Sequence, residues 1–225
     1  NHGQNISGAT SNQSENCAID DCYFFDGDAD YINISDSPSL RLTSAGTIEM
    51  WVKANGVDQD PYALLAGKTS GDGSDWVDIS YYLMWRNSDD IIQGRISSGS
   101  NGDNVEIVPF TDSNWHHLAF TWDGTTLSMY RDGWLNETAS QTVNAQSNAT
   151  QNLRIGGTVY GGTNNDYFNG SIDEVAIYNY AKSAGEIWND YINSTYSAMI
   201  YKDALLYYHF DGDATDATSN GNDGS

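Results

Sequence analysis

Two acidic runs echo each other: Phe25-Asp26-Gly27-Asp28-Ala29-Asp30 and Phe210-Asp211-Gly212-Asp213-Ala214. Carboxylates interleaved with glycine suit a hard cation, since Ca²⁺ takes about six to eight oxygens from carboxylates, carbonyls and water. No glutamate closes a twelve-residue loop, so this is not an EF-hand. Asp beside Gly equally well forms a tight turn with no ion at all. Glycoside cleavage would need two carboxylates facing one bond. Glu49 stands alone on its run, and Asp173 and Glu174 are consecutive, so in a strand they point to opposite faces. His116 and His117 are opposed in the same way, one as a packed ring and one exposed. No Ser-His-Asp spacing or phosphate-cradling glycine loop stands out, and the chain is read as a non-enzyme. For sugar binding, Tyr81, Tyr82, Trp85, Trp134 and Tyr160 are the aromatic candidates for a rim, set against their other use as core filler.

Cys17 and Cys22 are the two cysteines. Their spacing suggests one short-loop disulfide and an oxidising compartment, with two buried thiols as the alternative. A lone pair is too few for a structural zinc. Asn-x-Ser/Thr sequons stand at Asn5, Asn12, Asn33, Asn136, Asn148, Asn169 and Asn193. Each is weak alone; with the cysteine pair they point to an extracellular, cell-surface protein carrying N-glycans.

The formal net charge is −22 with nine basic residues. Phosphate backbones need a cationic face, so nucleic acid is excluded as a partner. No run of eighteen apolar residues is present, so no helical membrane span is expected.

The elements that would position these groups are strands. Thr47–Lys53 alternates, with Ile48, Met50 and Val52 on one face and Glu49, Trp51 and Lys53 on the other. Further strands are expected at 62–68, 76–85, 91–97, 105–110, 115–122, 126–131, 134–138, 152–156 and 167–178. Asp123-Gly124 and Asp132-Gly133 read as tight turns between them. Many short strands with turn signals indicate a sandwich or jelly roll. One helix is predicted, opened by the capping box Ser183-Ala-Gly-Glu186, with Ile187, Trp188, Tyr191 and Ile192 on one face.

These runs resemble a known family. Asp36-Ser-Pro-Ser-Leu40 with Thr47-Ile-Glu-Met-Trp-Val52 is similar to the opening of concanavalin-A-like, laminin-G-like jelly rolls. Asn114–Gly124 resembles their central strand and turn. Leu153–Gly157 with Phe168–Tyr178 resembles the closing strands, and Ser183–Tyr191 the short helix that follows. The resemblance covers about residues 22–195 and implies an all-β, two-sheet jelly-roll sandwich with one short C-terminal helix. It also implies a structural Ca²⁺, which nominates Asp26, Asp28 and Asp173, with Glu174 a weaker candidate. It implies function only loosely, because jelly rolls serve lectins, adhesins, enzymes and structural arrays alike.

One departure from the family stands out. Its members open with an apolar-aromatic-Phe-Asp-Gly strand, which here is absent from the front and found at 205–224. The organisation expected is therefore a polar lead-in (1–21), the jelly roll (22–195), a linker (196–202) and a displaced strand (203–225). Leu205, Tyr207 and His209 lie on one face of that strand, and Leu206, Tyr208 and Phe210 on the other. Three placements compete: donation to the next copy, return onto the chain's own domain, or the start of a further domain. Donation completes a neighbour's sheet edge and, repeated head to tail, builds an open filament. The expected function is thus a subunit of an extracellular filament or repeat adhesin whose partners are other copies of itself. The alternative is a secreted module that binds surface carbohydrate.

Overall fold

A computed structural model describes residues 6–12, 17–56, 59–69, 79–146, 151–160, 164–193, 206–208 and 218. In chain order the strands are β1 (Ile6–Ser7), β2 (Thr10–Asn12), β3 (Cys22–Asp26), β4 (Tyr31–Ile34), β5 (Gly46–Ala54), β6 (Ala63–Lys68), β7 (Tyr81–Arg86) and β8 (Ile91–Ser98). They continue with β9 (Asn101–Ile107), β10 (His116–Trp122), β11 (Thr126–Arg131), β12 (Trp134–Ser140), β13 (Leu153–Ile155), β14 (Gly157–Tyr160), β15 (Asn164–Tyr167) and β16 (Asn169–Tyr178). Helix α1 (Ala184–Asn193) and β17 (Leu206–Tyr208) close the order.

Two antiparallel sheets face each other as a jelly-roll sandwich. One runs β1-β4-β13-β6-β7-β8-β9, and the other β12-β11-β10-β5-β16-β3-β2 with β17 also on β16. β14 and β15 form a separate hairpin. The alternation in β5 does what its pattern demands: Ile48, Met50 and Val52 enter the core, opposite Phe120, Leu118 and Ile172 among others. Large rings fill the space between the sheets. Trp122 lies over Gly46 and Phe120 over Gly94, where an added Cβ would come within 2.2 and 2.4 Å of the rings. A side chain at Gly94 would push Phe120 of the facing sheet away, and one at Gly46 would displace the Trp122 ring on the neighbouring strand.

Helix α1 begins with the predicted box: Ser183 N–H donates to Glu186 Oε2 at 2.8 Å, and Glu186 N–H to Ser183 Oγ at 3.3 Å. It covers the outer face of the second sheet, where Ile187 packs on Ala119 and Tyr130.

The polar lead-in is not simply a loop. It contributes β1 and β2 to the ends of the two sheets. Edge strands are held by backbone pairing on one side, so a two- or three-residue strand needs no apolar pattern to announce it. Cys17 and Cys22 are joined as a disulfide, with Cα atoms 5.3 Å apart.

The C-terminal strand departs from the donation expected for it. Leu206, Tyr207 and Tyr208 pair with Ile177, Ala176 and Val175 of the chain's own β16. This is the return onto its own domain. The pairing is available because β3 covers only Asn169–Ile172 on that side of β16. Leu205, His209 and Phe210 lie outside the described residues.

Candidate functional site

The expected metal set is not brought together. Asp26 and Asp28 are exposed on the β3–β4 turn, where Asp28 N–H donates to Asp26 Oδ1 at 2.7 Å and Asp26 N–H to Asp30 Oδ2 at 2.9 Å. That is turn chemistry. Asp173 is fully buried and accepts from Ile19 N–H and Glu174 N–H, each at 2.9 Å. It stands four residues along β16 from Asn169, the partner of Asp26, or about 13 Å of strand. Its role is to pin the disulfide loop. Glu174 is equally buried, in the bulge that interrupts the β16–β5 register. Among the described residues no group of three or more His, Cys, Asp or Glu is placed to hold a metal. The residues do not fit the Ca²⁺ implied for them.

Glu49 is also committed. It is buried under α1, where Lys182 Nζ donates to its Oε1 at 2.8 Å and also pairs with Asp190. Burial pulls the Lys182 ammonium down, and the two carboxylates more than offset it, holding it above its ordinary value. Burial and the nearby Glu49 charge push Asp190 up to about 7. His117 faces this cluster from β10, edge-on to Trp51, and burial with the nearby Lys182 charge pushes it down to about 3. It is a neutral ring in the wall. His116 takes the opposite side, stacked on Phe110 and bonded to Asp132 at 2.8 Å. Glu49, Lys182 and Asp190 latch the helix to the sheet.

Of the five rim aromatics, Tyr81 and Trp85 belong to the core. Tyr81 O–H donates to Leu40 C=O at 2.7 Å, and Trp85 meets Phe110 edge-on. The side chain of Tyr160 lies outside the described set. Trp134 is 66% exposed at the far edge of the other sheet. Tyr82 alone points out of the first sheet.

Around Tyr82 the outer face of that sheet builds a pocket. Alternation puts Tyr82, Met84 and Arg86 of β7 outward, since Tyr81, Leu83 and Trp85 point in. Register then sets Tyr82 between Gly67 and Arg95, and Gln93 between Met84 and Glu106. Tyr62, Tyr82, Arg86, Gln93 and Arg95 line a cavity of about 290 Å³. Its floor is a fixed relay. Tyr82 O–H donates to Gln93 Oε1 at 2.6 Å, Gln93 Nε2 to Glu106 Oε1 at 2.6 Å, and Asn104 Nδ2 to the same oxygen at 2.7 Å. Tyr82 and Gln93 are each 2% exposed, and burial pushes the Tyr82 phenol well above its usual value, so it stays a donor.

The walls carry charge and an aromatic face. Arg86 sits over the Tyr62 ring at 5.7 Å and pairs with Asp89. Its buried Nε has no hydrogen-bond partner among the described residues. The Arg95 guanidinium lies over Gly102, where a Cβ would stand 2.5 Å from Nη2. Arg154, stacked over Tyr31 at 5.3 Å, extends the same face. Three of the nine basic residues of an acidic chain thus share one sheet surface. A ring, planar amides, a carboxylate and guanidiniums can grip adjacent hydroxyls in pairs while the ring takes an apolar face. Sequence reasoning found Tyr82 but missed Tyr62, Arg86, Gln93, Arg95 and Glu106. The alternation of Gln93 and Arg95 with Ile92 and Ile96 was the available signal.

Comparisons place this architecture among known ones. A family model described as the concanavalin A-like lectin/glucanases superfamily matches residues 26–188. A comparison with curated protein sequences gave no match. Among solved structures, domain 4 of AbnA, a GH43 extracellular arabinanase from Geobacillus stearothermophilus, in complex with arabinotriose, is similar at TM-score 0.63 and 20% identity, over 84% of this chain and 85% of that one. A putative carbohydrate binding protein from Bacteroides ovatus gives 0.63 and 17%, over 87% of this chain and 55% of that one. The Ruminococcus gnavus IT-sialidase CBM40 bound to α2,3-sialyllactose gives 0.56 and 16%, over 80% and 96%. At these identities the likeness is one of fold.

Proposed function

We propose that this chain, which belongs to the concanavalin A-like lectin/glucanase superfamily, is a saccharide-binding module of an extracellular protein. The observation that carries the reading is the outer-face pocket. Its Tyr82–Gln93–Glu106 relay is fixed before any ligand arrives, and preorganised polar groups lose little on binding. Above them, Arg86 and Arg95 offer paired donors and Tyr62 a ring. The sugar-bound neighbours of the same fold support it. The reading is binding rather than turnover, because Glu49 is buried and paired with Lys182 while Asp173 and Glu174 are fully buried in β16.

The test is calorimetric titration with arabinotriose and α2,3-sialyllactose, backed by a glycan array. Arg95→Ala and Gln93→Ala should weaken the best ligand about ten- to a hundred-fold, the usual cost of a lost charged or buried hydrogen bond. Trp134→Ala should leave binding unchanged. Saccharide binding that survives both pocket substitutions would move the site elsewhere; no binding by any glycan would remove the reading.

A second reading is self-assembly by exchange of the C-terminal strand. β17 meets the described domain through a three-residue ladder on its own β16, and exchange would have another copy's Leu206–Tyr208 take that ladder instead. A chain that exchanges this strand links to itself head to tail. Multi-angle light scattering and electron microscopy of the native chain decide it: elongated particles support exchange, and a monodisperse monomer at high concentration rejects it.

A further inference from the structure

Strand β12 carries an arrangement that neither the fold nor the pocket uses. Trp134-Leu135-Asn136-Glu137-Thr138 lies along the free edge of the second sheet. Trp134 is 66% and Leu135 51% exposed, an apolar pair that a folded surface normally covers. Trp134 is held in place from behind by the Trp188 ring of α1, with centroids 4.7 Å apart. The ladder with β11 skips one residue here. Met129 pairs with Glu137 and Tyr130 with Leu135, so Asn136 is the extra residue of a bulge. Bulges re-aim a side chain. Asn136 is exposed, and its Nδ2 reaches back to the Trp134 carbonyl at 3.0 Å. The amide nitrogen is thereby tethered beside the tryptophan, with the Thr138 of its sequon also exposed two residues on.

The other sequons with described side chains differ. Asn33 is half-buried, and its Oδ1 accepts from Asn152 at 3.0 Å and Arg154 at 3.3 Å. Asn169 is half-buried and accepts from Asn55. Asn193 donates to the Asn189 carbonyl within its helix. None has an exposed aromatic two residues before it.

We infer that Asn136 is an N-glycan acceptor and that the first sugar of its glycan stacks on the Trp134 ring. The step joins Asn136 Nδ2 to C1 of an oligosaccharide carried on a lipid pyrophosphate. The C1–O bond to that carrier breaks, the pyrophosphate leaves with the electron pair, and one Nδ2 proton is lost. A pyranose has an apolar face of C–H groups that suits an indole, as ring stacking does generally. The attached sugar then covers Trp134. It also stands over an unpaired strand edge, which would otherwise invite pairing with another chain.

The test is secretion of the full chain from a eukaryotic host, with site-resolved mass spectrometry of glycan occupancy. Asn136 should be occupied in most copies. Enzymatic removal of the glycan should then lower the melting temperature by about 2–4 °C. That loss should vanish in Trp134→Ala and return in Trp134→Phe; Trp134 is exposed, so folding is not at stake. An unoccupied Asn136, whether or not other sequons are occupied, overturns the proposal. A deglycosylation shift of equal size in wild type and Trp134→Ala overturns the stacking.

Discussion

Asp166 shows how a single buried residue sets a pH response. It is 8% exposed, and burial together with the neighbouring Asp60 charge pushes it up to about 7. Its folded pKa lies above its unfolded value, so between about pH 4 and pH 7 the folded chain holds a proton that the unfolded chain has released. Stability therefore falls as pH rises through that window and is level above it. His117 acts in the opposite sense. Its pKa falls to about 3 in the fold, so its contribution is lost as pH drops below the unfolded value near 6.5. Asp166→Asn should raise the urea midpoint at pH 8 and leave it unchanged at pH 4. An equal gain at both pH values would place the effect in packing and not in the charge.

Strands and their partners set what each residue can reach. The capping box at Ser183, the Asp132-Gly133 reversal and the β5 alternation were all legible, because each is a contact between residues close in sequence. The pocket was not. Its row Arg154–Gly67–Tyr82–Arg95–Asn104 crosses β13, β6, β7, β8 and β9; β6 to β9 are consecutive neighbours and only β13 joins from further along the chain, so the meeting of these side chains depends on the register of each pairing. A bulge between Leu64 and Ala66 also changes which β6 residues face outward, and no local pattern signals it. The proposed Asp26–Asp28–Asp173 set failed for the same reason. Motif likeness cannot tell that Asp173 is already spent on Ile19 N–H. The C-terminal strand belongs at this scale too. Removing residues 203–225 leaves Val175–Ile177, all fully buried, without a ladder partner on that side. The truncated chain should unfold at a lower temperature and aggregate on heating, read by calorimetry and turbidity. An unchanged melt would mean that β17 adds nothing to the domain.

Across the whole molecule, charge and shape pull in different directions. At −22 the chain repels polyanions and other acidic surfaces at long range, which favours solubility. Against that background Arg86, Arg95 and Arg154 gather on one sheet, offset in part by Asp89 and Glu106 beside them. Field strength falls over about 8–10 Å at physiological salt, so a ligand at the pocket meets the guanidiniums more than the distant acids. The opposite sheet has its outer face closed by α1 and its Glu49–Lys182–Asp190 latch. Helix on one side and pocket on the other divide the sandwich into a face closed by α1 and a face open at the pocket. No helix among the described residues is long and apolar enough to cross a membrane.

Composition and local spacing were enough to determine an all-β sandwich, its one capped helix and its acidic character, since these depend on period, turn chemistry and summed charge; the disulfide they suggested was joined only in the structure. Only the tertiary structure decided which polar residues meet. It put Asp173 under a loop, Glu49 under a helix, Tyr82 at the floor of a pocket and Leu206–Tyr208 on the chain's own β16. The reason is physical: side-chain encounters in a sheet follow strand order and register, and both are settled by burial summed over residues far apart in the chain.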